Sequence, residues 1–313
     1  MLLSLKLFAG SSNPDLAHRL AKELGVPVGN ADIRRFSDGE VDVRFNESVR
    51  AHDVFLLQST SYPGNDHLME LALMVDACRR SSAGRINAVM PYFGYSRQDH
   101  QTSPRVPISA KVVANFLCSA GVDRVITVDI HAPQLQGFFD VPVDHLHASH
   151  LLVERLRALA LPEPVIVSPD LGGVDRASRM ALGLAGTLAL IDRRRAAPAK
   201  AKAMHLIGDV EGRDCVLVDD IIDTAETLTE AADLLKTHGA RSVRAAVTHP
   251  VLSGTGVERL NRSKIIQLIC TDSIPLPVEK QIDKITVVSL AERLAAAIRN
   301  VHAGGSDGQL VGE

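Results

Sequence analysis

The chain has 313 residues, enough for one or two domains with full cores. A hydrophobic share of 46%, a charged share of 23% and a net charge of −3 are those expected of a soluble globular protein. They argue against bulk nucleic-acid binding, which favours a basic face. The opening MLLSLKLFAGSS is too short and interrupted for a signal peptide or a membrane anchor, and no stretch is long and apolar enough to span a bilayer. Cys78, Cys118, Cys215 and Cys270 are scattered with no C-x-x-C pair, which predicts reduced thiols and a cytoplasmic location.

In chain order, Leu5 to Ala9 reads as a strand, and Asn13-Pro14 supplies an N-cap and an N1 proline for a helix to about Leu24. Val54 to Gln58 reads as a second buried strand. Asn65 opens an amphipathic helix carrying Leu68, Leu71, Leu73, Met74 and Val75. Ile86 to Met90 is a strand, Tyr92 to Arg105 a polar loop, and Ile108 to Ala120 a helix stopped by Gly121. Val125 to Val128 follows as a strand. In the second half, Val165 to Val167, Leu188 to Ile191, Val216 to Val218, Val243 to Val247 and Ile265 to Ile269 read as strands, with helices between several of them. This alternation predicts an α/β fold with mainly parallel sheets covered on both faces. His131 and His249 follow the helix-ending glycines Gly121 and Gly239 at the same spacing, a weak sign of two halves with similar architecture. Arg193 to Lys202, RRRAAPAKAK, reads as a basic loop, solvated unless it has a task, and the tail GGSDGQLVGE as frayed.

The stretch richest in chemistry is Cys215 to Leu228, CVLVDDIIDTAETL. A buried apolar strand ends in Asp219 and Asp220. The turn Asp223-Thr224-Ala225-Glu226-Thr227 follows, and then a helix opens. Such a strand–loop–helix unit aims backbone N–H groups and hydroxyls at one point, which suits a phosphate. The acids before it suit the hydroxyls of a sugar, or a cation. Taken alone, the same residues also describe an N-cap and a solvated strand end.

V-L-V-D-D-I-I-D-T-A-E-T resembles the ribose-5-phosphate loop of the phosphoribosyltransferase superfamily. Further motifs point to its ribose-phosphate pyrophosphokinase family: RFSDGE at Arg35 to Glu40, YFGYSRQD at Tyr92 to Asp99, and DIHAPQLQGFFDVPVDHL at Asp129 to Leu146. VSPDLGGVDRA at Val167 to Ala177 and THPVLSG at Thr248 to Gly254 continue the series in the same order. The resemblance covers nearly the whole chain. It implies two tandem phosphoribosyltransferase-like domains, 1–146 and 147–313, with the last helix, near Leu290 to His302, packed back on the first. The implied reaction moves pyrophosphate from ATP to the anomeric hydroxyl of ribose 5-phosphate, leaving AMP, with Mg2+ as cofactor.

The same resemblance implies the roles of individual residues. Asp219, Asp220, Asp223, Thr224, Ala225, Glu226, Thr227 and Arg195 would hold ribose 5-phosphate. Phe36, Asp38, Gly39 and Glu40, with Arg97 and Gln98, would hold ATP, the first four serving a neighbouring subunit of a homo-oligomer that is usually a hexamer. His131 and Asp170, each after an apolar strand, would hold magnesium and leave most of its positions to water and phosphate, as a hard ion prefers. Arg193 and Arg195 would bring positive charge to the transition state from a mobile basic lid. Outside these motifs, a strand-end histidine reads as structural, a loop arginine as solvated, and RFSDGE as a hairpin tip.

The chain also departs from the family pattern. Arg193 replaces a lysine, Glu226 a glycine in the phosphate loop, and Ser178 a common arginine. The loop after Asp99 is poorer in basic residues, and the usual Ser-x-Ser-x-Leu-Phe ending is missing. These changes leave two expectations: an active magnesium-dependent transferase, or a catalytically weak regulatory subunit of the same fold. A plain phosphoribosyltransferase is disfavoured, because a one-domain enzyme has no need of the N-terminal half.

Overall fold

A computed structural model describes residues 3–194 and 203–305. The chain divides into two compact units. The first contains the segment up to His147, Ser273–Pro275 and the chain from Ser289 onward; the second contains Ala148–Asp272 and Leu276–Val288.

The first unit holds β1 (Leu5–Ala9), α1 (Pro14–Leu24), β2 (Ala31–Arg35), β3 (Val41–Phe45), β4 (Asp53–Leu57), α2 (Gly64–Arg80), β5 (Arg85–Met90), α3 (Ser109–Ala120), β6 (Arg124–Val128) and β7 (Val143–Leu146). Its sheet runs β1-β4-β5-β6-β7, parallel throughout. Asn13 caps α1, its side chain accepting from Leu16 N–H at 3.3 Å, and Gly25 ends it with φ 72°. Val54, Leu56, Ile86, Ala88 and Val125 pack in one core with Leu71, Met74 and Val75 of α2 and Val113, Ala114 and Leu117 of α3. Strand residues two apart share a face, so this alternation sends Phe55, Leu57 and Val89, also buried, to the opposite side of the sheet.

The second unit holds α4 (Ser149–Arg157), β8 (Val165–Ser168), α5 (Val174–Leu184), β9 (Thr187–Arg194), β10 (Ala203–Ile207), β11 (Asp214–Ile222), α6 (Glu226–Thr237), β12 (Ser242–Pro250), α7 (Gly256–Arg262), β13 (Gln267–Thr271) and β14 (Ile285–Val288). The sheet order is β10-β9-β8-β11-β12-β13-β14, antiparallel only at β10–β9. Both faces are dry. Val165, Val167, Leu217, Val243 and Ala245 pack with Leu228, Ala231 and Leu235 of α6, while Ile166, Val216, Val218, Ala246 and Ile269 pack with α4 and α5. The chain then returns to the first unit as α8 (Ala291–Ala303), which lies against α1.

The α/β class and the parallel sheets agree with the sequence reading, but several boundaries differ. β11 does not stop at Val218; it continues through both aspartates to Ile222, because β12 pairs with it as far as Pro250 and that ladder uses only backbone groups. Arg193 and Arg194 belong to β9 rather than to a loop, paired with Met204 and Ala203. β13 starts at Gln267, past Ile265. The hairpin tip read at RFSDGE is present between β2 and β3, but these two strands and the strands β7, β10 and β14 were not anticipated. The paired histidines are not equivalent: His131 is exposed beyond β6, whereas His249 is 2% exposed within β12. Most of the predicted basic lid, Arg195 included, lies outside the described residues, as does the tail beyond Gly305.

Candidate functional site

In the second unit, β11 delivers Asp219 and Asp220 at its C-terminal end, and Asp223–Ala225 turn the chain into α6. Ala225 sits in the left-handed region at φ 60° and offers no side-chain cap. The first turn of α6 therefore presents its N–H groups at a bend where an L-residue is strained, a disposition suited to a phosphate. Neighbouring segments hold the bend from outside. Arg259 of α7 donates to Thr224 O at 2.5 Å, and the Ser253 hydroxyl donates to the Asp223 carboxylate. At Gly256 a Cβ would lie 2.6 Å from Asp223 O, so α7 reaches the loop only through a glycine.

The carboxylates form an acidic group around one guanidinium. Arg176, on α5, lies 3.7 Å from Asp219 and 3.4 Å from Asp220. The Asp219 carboxylate also accepts the Asp220 N–H at 2.9 Å. Burial, and then the Asp220 carboxylate, push Asp219 well above the usual carboxylate range; Asp170 adds to the shift and Arg176 opposes it. Asp170 itself is exposed at the end of β8. One of its oxygens accepts Gly173 N–H at 3.0 Å and its carbonyl accepts the Ser168 hydroxyl at 2.7 Å. The excess negative charge around Asp219 favours a cation here, and the exposed Asp170 carboxylate is a hard donor suited to magnesium.

In the first unit, Phe36 to Glu40 form the tip of the β2–β3 hairpin. Phe36 N–H donates to Glu40 O, and Gly39 N–H to Phe36 O, both at 2.9 Å, with Gly39 at φ 94°. The Asp38 carboxylate accepts Glu40 N–H at 3.1 Å. Phe36 is 57% exposed, a ring held out for contact. Arg97 and Gln98 are exposed in the loop before α3. Gln98 helps to start that helix: its carbonyl accepts Ala110 N–H at 3.2 Å and its side chain accepts the Ser109 hydroxyl at 2.6 Å. His131 stands exposed just past β6, an accessible imidazole.

The structure thus gathers Asp219 and Asp220 around Arg176, with Asp170 near enough to raise Asp219, and keeps Asp223, Thr224, Ala225, Glu226 and Thr227 in one bend. Arg193 lies on β9, and Arg195 is outside the described residues. Sequence reasoning passed over Arg176, Ser253 and Arg259 as participants. The first two lay inside motifs already singled out, VSPDLGGVDRA and THPVLSG.

Residues 5–121 match the family described as the N-terminal domain of ribose phosphate pyrophosphokinase, and residues 165–312 match the phosphoribosyl synthetase-associated domain. The ribose-phosphate pyrophosphokinase of Shewanella oneidensis is 55% identical over 300 residues, covering 95% of each chain. The chain belongs to the ribose-phosphate pyrophosphokinase family. The Bacillus caldolyticus ribose-phosphate pyrophosphokinase is 51% identical and also covers 95% of each chain. The crystal structure of phosphoribosylpyrophosphate synthetase from Mycobacterium smegmatis superposes with a TM-score of 0.91 at 43% identity, covering 96% of this chain and all of that one. Nothing in these comparisons favours a non-catalytic subunit.

Proposed function

We propose that the chain transfers pyrophosphate from ATP to the anomeric hydroxyl of ribose 5-phosphate, giving phosphoribosyl pyrophosphate and AMP. Family membership supports an ATP-using transferase of nucleotide biosynthesis. The observation that carries the substrate reading is the Asp219–Asp220 pair leading directly into the N-terminus of α6. The carboxylates accept from the ribose hydroxyls. The Asp223–Thr227 bend takes the 5-phosphate through backbone N–H groups and the Thr224 and Thr227 hydroxyls. The positive charge of Arg176 beside both acids offsets their mutual repulsion.

Phe36 stacks on adenine, Asp38, Gly39 and Glu40 bond its edge, and Arg97 and Gln98 meet the nucleotide's polar groups. His131 and Asp170 are the residues that would hold magnesium, whose chemistry is to neutralise charge on the phosphates. Arg193 and Arg195 bring positive charge to the oxygens that become negative as the β-phosphorus is attacked. The exposed Phe36 ring on the hairpin tip supports assembly into a homo-oligomer, with the hexamer as the proposed size. No helix among the described residues is long and apolar enough to cross a membrane, in keeping with the proposed cytoplasmic location.

The test is AMP release by the purified full chain with ATP, ribose 5-phosphate and Mg2+. AMP should form only when both substrates and the cation are present. ATP consumption that is indifferent to ribose 5-phosphate would refute the assignment.

A further inference from the structure

We propose that Asp129, His145 and His147 form a binding site for a borderline divalent d-block cation of the zinc type, with a ligand set different from that proposed for magnesium. β6 ends at Val128, and Asp129 follows with φ 36°, a left-handed conformation that costs an aspartate about 1–3 kcal/mol. Its N–H donates to Leu146 O at 2.9 Å, which ties it to the end of β7. His145 and His147 flank Leu146 two residues apart, so both rings face the same side. Asp129 therefore meets two imidazoles at once.

The resulting geometry is compact. His147 Nδ1 lies 3.0 Å from Asp129 Oδ1, and the two imidazole centroids are 4.6 Å apart, edge to face. One ligand atom from each of the three residues lies within 4.8 Å of the other two. Tetrahedral ligands about 2.0 Å from a zinc ion stand about 3.3 Å from each other. The Asp129–His147 spacing is already close to that, and a turn of the rings brings in the rest. Asp129 is 6% and His145 5% exposed, while the His147 side chain is 18% exposed and marks the way in.

Two imidazoles and one carboxylate match the donors of zinc-type sites that leave a fourth position to water. Magnesium prefers an all-oxygen shell and discriminates against such a set. His145 is already oriented: its Nε2 accepts Ile130 N–H at 3.0 Å, and the Gln136 amide lies 3.4 Å from its Nδ1. Coordination replaces one of those two contacts with the metal, and the other then holds the ring in position.

The probe is Co2+, added to chelator-stripped full-length protein in excess Mg2+, with Zn2+ as competitor. One equivalent per chain should give the intense visible absorption of low-coordinate Co2+ and should be displaced by Zn2+. His147→Phe and His145→Phe should each weaken binding by about tenfold or more, since changes merely adjacent to a metal ligand already cost about that much. His147→Gln should show the same loss where the phenylalanine disturbs folding. His131→Ala should retain the band. A wild-type protein without the band overturns the proposal. So does a band that survives both His147 variants, or one that His131→Ala abolishes.

Discussion

Asp219 carries the least comfortable charge in the sugar-side group, since burial and two neighbouring carboxylates raise it and only Arg176 opposes them. Removing that guanidinium leaves three acids with less compensation, and Asp219 then holds its proton to still higher pH. A protonated carboxyl is a poorer acceptor for a ribose hydroxyl. Arg176→Gln should therefore raise the KM for ribose 5-phosphate by roughly tenfold, about 1.4 kcal/mol of binding, with a smaller effect on the KM for ATP. Arg176→Lys should fall between, keeping the charge but on a compact ammonium in place of the planar guanidinium. Equal changes in both KM values would show Arg176 to be structural only. Glu226 poses the opposite problem. It occupies the first position of α6, where its carboxylate favours the helix by about 0.3–1 kcal/mol but competes with phosphate for the same positive pole. Glu226→Gly should lower the KM for ribose 5-phosphate by roughly threefold while reducing stability by about 1 kcal/mol. Steady-state kinetics and a thermal melt on one preparation separate the two effects. A KM that does not move would mean the side chain points away from the phosphate.

Among the elements, the join between α8 and the first sheet rests on Asp53. Its side chain is fully buried at the start of β4, where Arg85, His302 and Asn87 all reach it, the last two at 2.8 Å. Burial pushes its carboxyl up, but hydrogen bonds from Arg85, His302 and Asn87 outweigh it and hold the group below the usual aspartate range. A carboxylate with a lowered folded pKa stabilises above its unfolded value near 3.9 and loses that contribution as pH falls through the lower folded one. Asp53→Asn should destabilise the protein by about 2 kcal/mol at neutral pH, seen as a melting temperature lower by roughly 4–8 °C. It should also flatten the loss of stability below pH 4; an unchanged acid limb in the pH profile would contradict this. None of this was readable from the chain, because Asp53 and His302 lie far apart in it. What was readable was short-range: the Asn13-Pro14 start of α1, the apolar runs of β4 and β11, and the bend before α6. The hairpin's tip was legible at RFSDGE, but its strands escaped because they are half-exposed, with Arg34, Asp42 and Arg44 interrupting the apolar signal. The reach of β11 past Asp219 escaped because parallel pairing depends on the partner strand's backbone and not on local propensity.

For the molecule as a whole, the path of the chain couples the stability of its two ends. It passes between the units at His147–Ala148, Asp272–Ser273, Pro275–Leu276 and Val288–Ser289, so the first unit is not finished until the last helix is made. α8 buries Ala291, Leu294, Ala295, Ala297, Ile298 and Val301. Its Arg299 donates to Glu23 O at the end of α1, while Arg85 donates to Val301 O. Burying the leucine, isoleucine and valine alone contributes roughly 5–8 kcal/mol, comparable with the whole net stability of a typical domain. A chain ending at Val288 should therefore lose the first unit, with α1 left uncovered, while the second keeps its two packed faces. A chain ending at Gly305 retains α8 and sets the baseline. Hydrogen exchange should show protection lost across β1, β4 and β5 in the shorter chain and kept across β8, β11 and β12. Protection of β1 and β4 without α8 would show that the first unit folds without its final helix.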